Sequence, residues 1–185
     1  MSFYYVYCIT AGFLVKVILV PGLSYQVLTE KGDWHTRYNL GMSKFRFQQP
    51  ISVRYSDLDP QWHVNNARFL SYIEQARMNY LLKLGLFDGH HFWDLPLIVA
   101  DMHVRYLAPI ELTDSVVVSL GVTRIGNKSL LLECEITSED GSVVYATAEN
   151  TMVAYDYRTK TAVPVSDELR EVFGKFEGKS FKKEE

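Results

Sequence analysis

Between Arg54 and Arg77 the chain reads RYSDLDPQWHVNNARFLSYIEQAR, with two carboxylates (Asp57, Asp59), one imidazole (His63) and two amides (Asn65, Asn66) in its first half. The second half changes character. Phe69, Leu70, Ile73, Ala76, Tyr80, Leu81 and Leu84 recur at three-and-four spacing, so the polar cluster sits at the mouth of an apolar helix. The first N–H groups of a helix lack intrahelical acceptors and carry partial positive charge. A carboxylate on a loop that feeds such an end brings a general base or nucleophile up to donors able to hold a developing oxyanion. His63 is of a type that orients water or protonates a leaving group. Each residue also has a plainer use: Asp57 and Asp59 in a turn, Asn65 and Asn66 as caps, Glu74 as an ion-pair partner of Arg77 on the helix surface.

The elements that must position this cluster follow from period and punctuation. ISVRY, 51–55, reads as a strand with Ile51, Val53 and Tyr55 on one face. Pro60 has no N–H and disfavours helical backbone at Asp59, which makes 56–64 a loop. Asn65 or Asn66 caps a helix over 67–84, and Gly85 ends it. Strands are expected over 97–110, 114–125, 128–137 and 142–156, the last three joined by tight turns at Gly126-Asn127 and Asp140-Gly141 into an antiparallel meander. A helix apolar over most of its surface and a sheet with one apolar face suit each other if the sheet curls around the helix, an α+β fold. Residues 42–165 hold this domain, and 166–185 form a charged tail with a short capped helix at 166–173 that then frays.

A chain of 185 residues with 48% apolar content supports one domain, and a net charge of −3 gives no basic field for nucleic acid. Two cysteines, Cys8 and Cys134, make no disulfide framework and no zinc pattern, and Cys134 reads as a small core residue. A reducing cytoplasm is the expected compartment. His90, His91, Asp94, Asp101 and His103 form no open three-ligand pattern, so no metal is expected, and the absence of a GxSxG or phosphate-loop motif argues against serine hydrolases and nucleotide enzymes. Residues 1–41 stand apart. The run 3–20 is almost long enough to cross a membrane, but Lys16 interrupts it and no cleavage site follows, so membrane anchoring is disfavoured. The segment shows no sustained strand or helix period, and the expected reading is an extension before a true start at Met42.

The stretch YSDLDPQWHVNNARFLSYIEQAR resembles the signature of hotdog-fold acyl-CoA and acyl-ACP thioesterases of the 4-hydroxybenzoyl-CoA thioesterase type, and the resemblance covers about 45–157. It implies a hotdog fold, a sheet wrapped around a long helix, that hydrolyses an acyl-CoA or acyl-carrier-protein thioester without a cofactor. It makes Asp59 the catalytic carboxylate and assigns oxyanion donors to the backbone from Val64 through Asn65 to Asn66, with His63 beside them. Glu74 is the second candidate, because some relatives place their carboxylate on this helix. Gln61 stands where the acyl-ACP branch has Asn, and Trp62 replaces a small residue, often Gly, so that its ring either narrows the acyl site or packs under the loop. For the CoA or carrier moiety, Arg105 and the turn residues Arg124, Lys128 and Ser129 offer phosphate contacts. The family also implies a homodimer or homotetramer whose sheets join. Two rivals share these residues. One is an enoyl-thioester hydratase, from whose motif DLDPQWH departs at Asp59 and by an extra residue before His63. The other is a non-catalytic acyl-thioester-binding module.

Overall fold

The computed structural model describes residues 4–10, 13–20, 24–28, 34–38, 43–91, 93 and 95–181; Asp94 and Met42, both singled out above, lie outside the described residues. The chain divides into two compact units, Met1–Met42 and Ser43–Glu185. In the first, β1 (Tyr4–Thr10), β2 (Phe13–Val20), β3 (Ser24–Leu28) and β4 (Trp34–Tyr38) form an antiparallel sheet in sequence order. These strands were not expected from periodicity. β1 and β2 carry β-branched and aromatic residues on alternate and adjacent positions alike, so strand preference is present without alternation.

In the second unit β5 (Phe47–Ser52) precedes a short 3-10 turn at Tyr55–Asp57, then α1 (Asn66–Lys83), β6 (Leu97–Tyr106), β7 (Ser115–Ile125), β8 (Ser129–Ser138), β9 (Val144–Asp156), β10 (Thr161–Ala162) and α2 (Asp167–Glu177). The first strand lies earlier than expected. Pro50 is accommodated because β5 ends the sheet, pairing only β7 among the described residues, so that a missing N–H is tolerated. Strands β7, β8 and β9 form the expected meander, β6 adds antiparallel to β9, and β10 pairs the end of β9.

Helix α1 starts where Asn65 accepts a hydrogen bond from Ala67 N and stops before Gly85, whose φ of +70° suits glycine. Its buried residues, Phe69, Tyr72, Ile73, Ala76, Arg77, Tyr80 and Leu81, make one stripe that packs on the inner residues of β7, β8 and β9. Leu70 is exposed, so the helix is covered on one side rather than enclosed within this chain. Arg77 is not on the surface. It is 7% exposed, and with the Asn150 amide oriented to satisfy both groups its Nη1 donates to Asn150 at 2.7 Å.

The tail does not fray at 173. Ser166 caps α2 through Leu169 N, the helix runs on to Glu177, and Gly178 takes the left-handed conformation that ends it. Phe173 stacks on Tyr80 at 6.1 Å, and the Glu177 carboxylate accepts from Tyr80 Oη at 2.6 Å, so the helix completes the core. Burial pushes the Cys134 thiol up to about 12, as befits an inert core residue.

Candidate active site

The segment between β5 and α1 is folded back on itself by its own main chain. Trp62 N donates to Asp59 O at 3.0 Å, Asp59 N donates to His63 O at 2.9 Å, and Leu58 bridges Val64. This is a tight turn over Pro60 and Gln61 followed by a bulge at Trp62. Such a bulge requires a left-handed residue, usually glycine. Trp62 has φ +63°, a conformation that costs a bulky residue about 1–2 kcal/mol. Its ring is 67% exposed and does not pack under the loop; it meets the Tyr55 ring, itself 71% exposed, at 6.4 Å.

Two carboxylates bracket the turn's first strand. Asp57 has no exposed surface and accepts from Arg54 N at 3.0 Å, Arg54 Nε at 3.3 Å, Arg54 Nη2 at 3.2 Å and Tyr72 Oη at 2.9 Å. Arg68 Nε stands 3.8 Å away. Burial pushes the Asp57 carboxyl up, but the Arg54 N–H and guanidinium and the Tyr72 hydroxyl outweigh it and hold the group below the ordinary carboxylate range. Burial, reinforced by the same contact, moves the Tyr72 phenol well above its ordinary value. Asp59 is half-buried, and its Oδ1 accepts from Gln61 N at 2.8 Å. Its Oδ2 has no partner among the described residues.

Of the three expected oxyanion donors, two are used by the fold. Val64 N donates to Ile110 O at 2.8 Å and Asn65 N to Asp57 O at 2.9 Å, while the Asn65 side chain caps α1 at Ala67 N. Asn66 N, at the first position of α1, makes no hydrogen bond among the described residues. The Asn66 carbonyl accepts from Tyr106 Oη at 3.2 Å, and Tyr106 packs edge-on against Phe69 at 5.1 Å. His63 is half-buried beside this point.

Other expected residues are dispersed. Glu74 lies eight residues beyond Asn66, roughly 12 Å along the helix axis, and its exposed carboxylate stands 3.9 Å from Arg77 Nη2. Arg124, Lys128 and Ser129 sit at the β7–β8 turn, the opposite end of β7 from Ser115, which pairs with Ser52 beside the Asp57 loop; an eleven-residue strand separates them by roughly 30 Å. Lys128 Nζ there donates to Ala162 O. Arg105 stays at the near end, next to Tyr106, but on the other face of β6, where it lines a cleft of about 280 Å³ with Lys44, His103 and Glu149. His91 Nδ1 pairs with Asp88, Asp101 and His103 are exposed on β6, and no group of three or more potential metal ligands gathers among the described residues.

Sequence reasoning missed Tyr106 and Arg54, and it took Tyr72 with Trp62 and Phe69 as an aromatic lining rather than as a donor to Asp57. Tyr106 is separated from Asn66 by 40 residues and no spacing rule connects them, whereas Arg54 and Asp57, three apart, formed a pair that could have been noticed.

A helix laid on an antiparallel sheet, with a carboxylate loop at its N-terminus, is the architecture of a hotdog-fold thioesterase. The model of the thioesterase-like superfamily matches residues 53–173, and the chain belongs to that family, whose reaction cleaves a thioester to acid and thiol. Long-chain acyl-CoA thioesterase FadM of Escherichia coli K12 is 33% identical over 124 residues, 67% of this chain and 94% of that protein. The crystal structure of a Thermus thermophilus thioesterase complexed with coenzyme A and Zn superposes with a TM-score of 0.66 at 34% identity, covering 75% of this chain and 99% of that one. A predicted thioesterase from Bacillus stearothermophilus does so with 0.64 at 25% identity, covering 75% and 98%.

Proposed function

We propose that the protein hydrolyses acyl-CoA, with Asp59 as the catalytic carboxylate and Asn66 N–H as the oxyanion donor. The observation that carries this reading is that Asp59 Oδ2, on the turn feeding α1, and the Asn66 N–H at the helix start are both without a partner among the described residues. Oδ2 takes a proton from water as the water oxygen adds to the thioester carbon, or adds to that carbon itself to form an anhydride. In both routes the carbonyl oxygen becomes an oxyanion against Asn66 N–H and the positive end of α1. Collapse breaks the C–S bond, and the thiolate recovers a proton from the Asp59 carboxylic acid in the first route or from water in the second, whose anhydride a further water then hydrolyses to free acid and the Asp59 carboxylate. His63 orients the water. Coenzyme A as the carrier is supported by the relatives' names.

The protein works as a dimer joined along β6. Within residues 43–181 that strand pairs only β9, and Ile98, Val99, Tyr106 and Leu107 on and beside it are exposed. A monomer by light scattering at micromolar concentration would count against this. The catalytic domain is 43–185, with residues 1–41 dispensable to catalysis. The cytoplasm is its compartment, and no helix among the described residues is long and apolar enough to cross a membrane.

The test is thiol release from a panel of acyl-CoA esters by the parent and Asp59→Asn. The expected result is turnover that falls about a hundredfold or more in the variant with unchanged melting. Turnover indifferent to Asp59→Asn removes Asp59 from the mechanism, and turnover on acyl carrier protein esters alone changes the carrier. A single turnover in heavy-oxygen water that leaves the label in the Asp59 carboxylate identifies the anhydride route, because only attack on an anhydride at its Asp59 carbon puts it there.

A further inference from the structure

Trp62 occupies a backbone position made for glycine, and its ring gains nothing from the protein core in return. A left-handed residue is demanded by the turn that aims Asp59, through the Trp62 N to Asp59 O and Asp59 N to His63 O hydrogen bonds. Glycine would meet that demand without strain. A large ring held there and left mostly in water is the kind of outlier that points to a ligand.

The ring has a companion. Tyr55, at the start of the 3-10 turn on the other side of Asp59, is just as exposed, and the two rings meet at 6.4 Å with planes inclined by 60°. Inclined rings cannot sandwich a flat base such as adenine, which requires two parallel faces. Two exposed rings in tilted contact present instead an open trough-like carbon surface along which a flexible polymethylene chain can lie. The cations nearest in sequence, Arg54 and Arg68, both face Asp57, so the trough has an apolar rather than a phosphate-binding character.

The surface belongs to the loop that carries the reacting group. Both rings belong to the segment that carries Asp59, and a thioester carbon held at Asp59 sends its acyl chain and its pantetheine arm in different directions. The amides of the arm need polar partners, whereas the acyl chain needs carbon. We infer that Tyr55 and Trp62 form the wall that receives the acyl chain, and that Trp62 sets the preference for long over short acyl groups. This inference rests on Asp59 as the catalytic carboxylate.

The experiment measures binding as well as turnover. Affinities of a non-hydrolysable thioether analogue of a long-chain acyl-CoA and of a short-chain one are determined by calorimetry for the full chain and for Trp62→Gly, Trp62→Phe and Tyr55→Ala. The readout is the long-to-short affinity ratio. It is expected to fall about tenfold or more in Trp62→Gly, to fall less in Tyr55→Ala, and to be largely retained in Trp62→Phe. Melting of Trp62→Gly is expected to be no lower than the parent's, because glycine suits the backbone there. An unchanged ratio overturns the inference, as does an equal loss for both analogues. Dissociation of the Trp62→Gly oligomer, seen by light scattering, together with an unchanged ratio would assign the ring to a subunit contact instead. Asp59→Asn turnover decides the catalytic reading separately, so failure of one leaves the other standing.

Discussion

Asp57 and Asp59 are two residues apart, and the fold treats them in opposite ways. Asp57 is sealed from solvent and surrounded by Arg54, Tyr72 and Arg68, whereas Asp59 keeps one oxygen unengaged beside a helix end. A carboxylate with every lone pair directed at a donor holds structure; one with a vacant lone pair at the surface can accept a proton. The main-chain carbonyl of Asp57 accepts from Asn65 N and thereby ties the turn to α1.

The largest effect that would break this comparison is on rate. Asp59→Asn should lower turnover about a hundredfold or more while leaving melting unchanged, whereas Asp57→Ala should lower stability. The latter leaves Arg54 N and Tyr72 Oη without an acceptor in a buried place, and about 2–4 kcal/mol of stability should be lost in chemical denaturation. Tyr72→Phe removes one of those donors and should cost about 1 kcal/mol. Asp57 also matters in acid. Asp57 titrates below its unfolded value, so its contribution is complete above about pH 4 and is lost as pH falls through the folded value. A denaturation series from pH 6 downward should show that acid loss in the parent and a much smaller one in Asp57→Asn. The smallest effect belongs to Glu74→Gln, expected to change turnover by no more than about threefold, since its carboxylate is distant along the helix and 68% exposed.

Much of this was legible in the sequence. The helix could be placed within a residue because three-and-four spacing, an Asn cap and a terminal Gly agree, and the meander followed from its turns. What escaped was decided by tertiary contact. Arg77 reads as a surface partner of Glu74, yet Asn150, more than seventy residues later, draws it inward. Three backbone N–H groups at the helix start look alike in a sequence, and only the positions of Ile110 and Asp57 reveal that two are already donated. Arg124 and Lys128 look available for phosphate, but the length of β7 carries them away from the loop. The strain at Trp62 is likewise a property of the turn's path, visible in the sequence only as a large residue where relatives tend to be small.

The contact between Tyr80 and Glu177 spans 97 residues of chain. During synthesis the Asp59 loop and α1 leave the ribosome long before the helix that covers Tyr80, and until α2 arrives the rings of Phe47 and Tyr80 lack the cover of Phe173 and Phe176. A chain interrupted before α2 therefore presents aromatic surface to chaperones and proteases. Fidelity of translation through α2 is thereby coupled to the survival of a loop encoded more than a hundred residues before it.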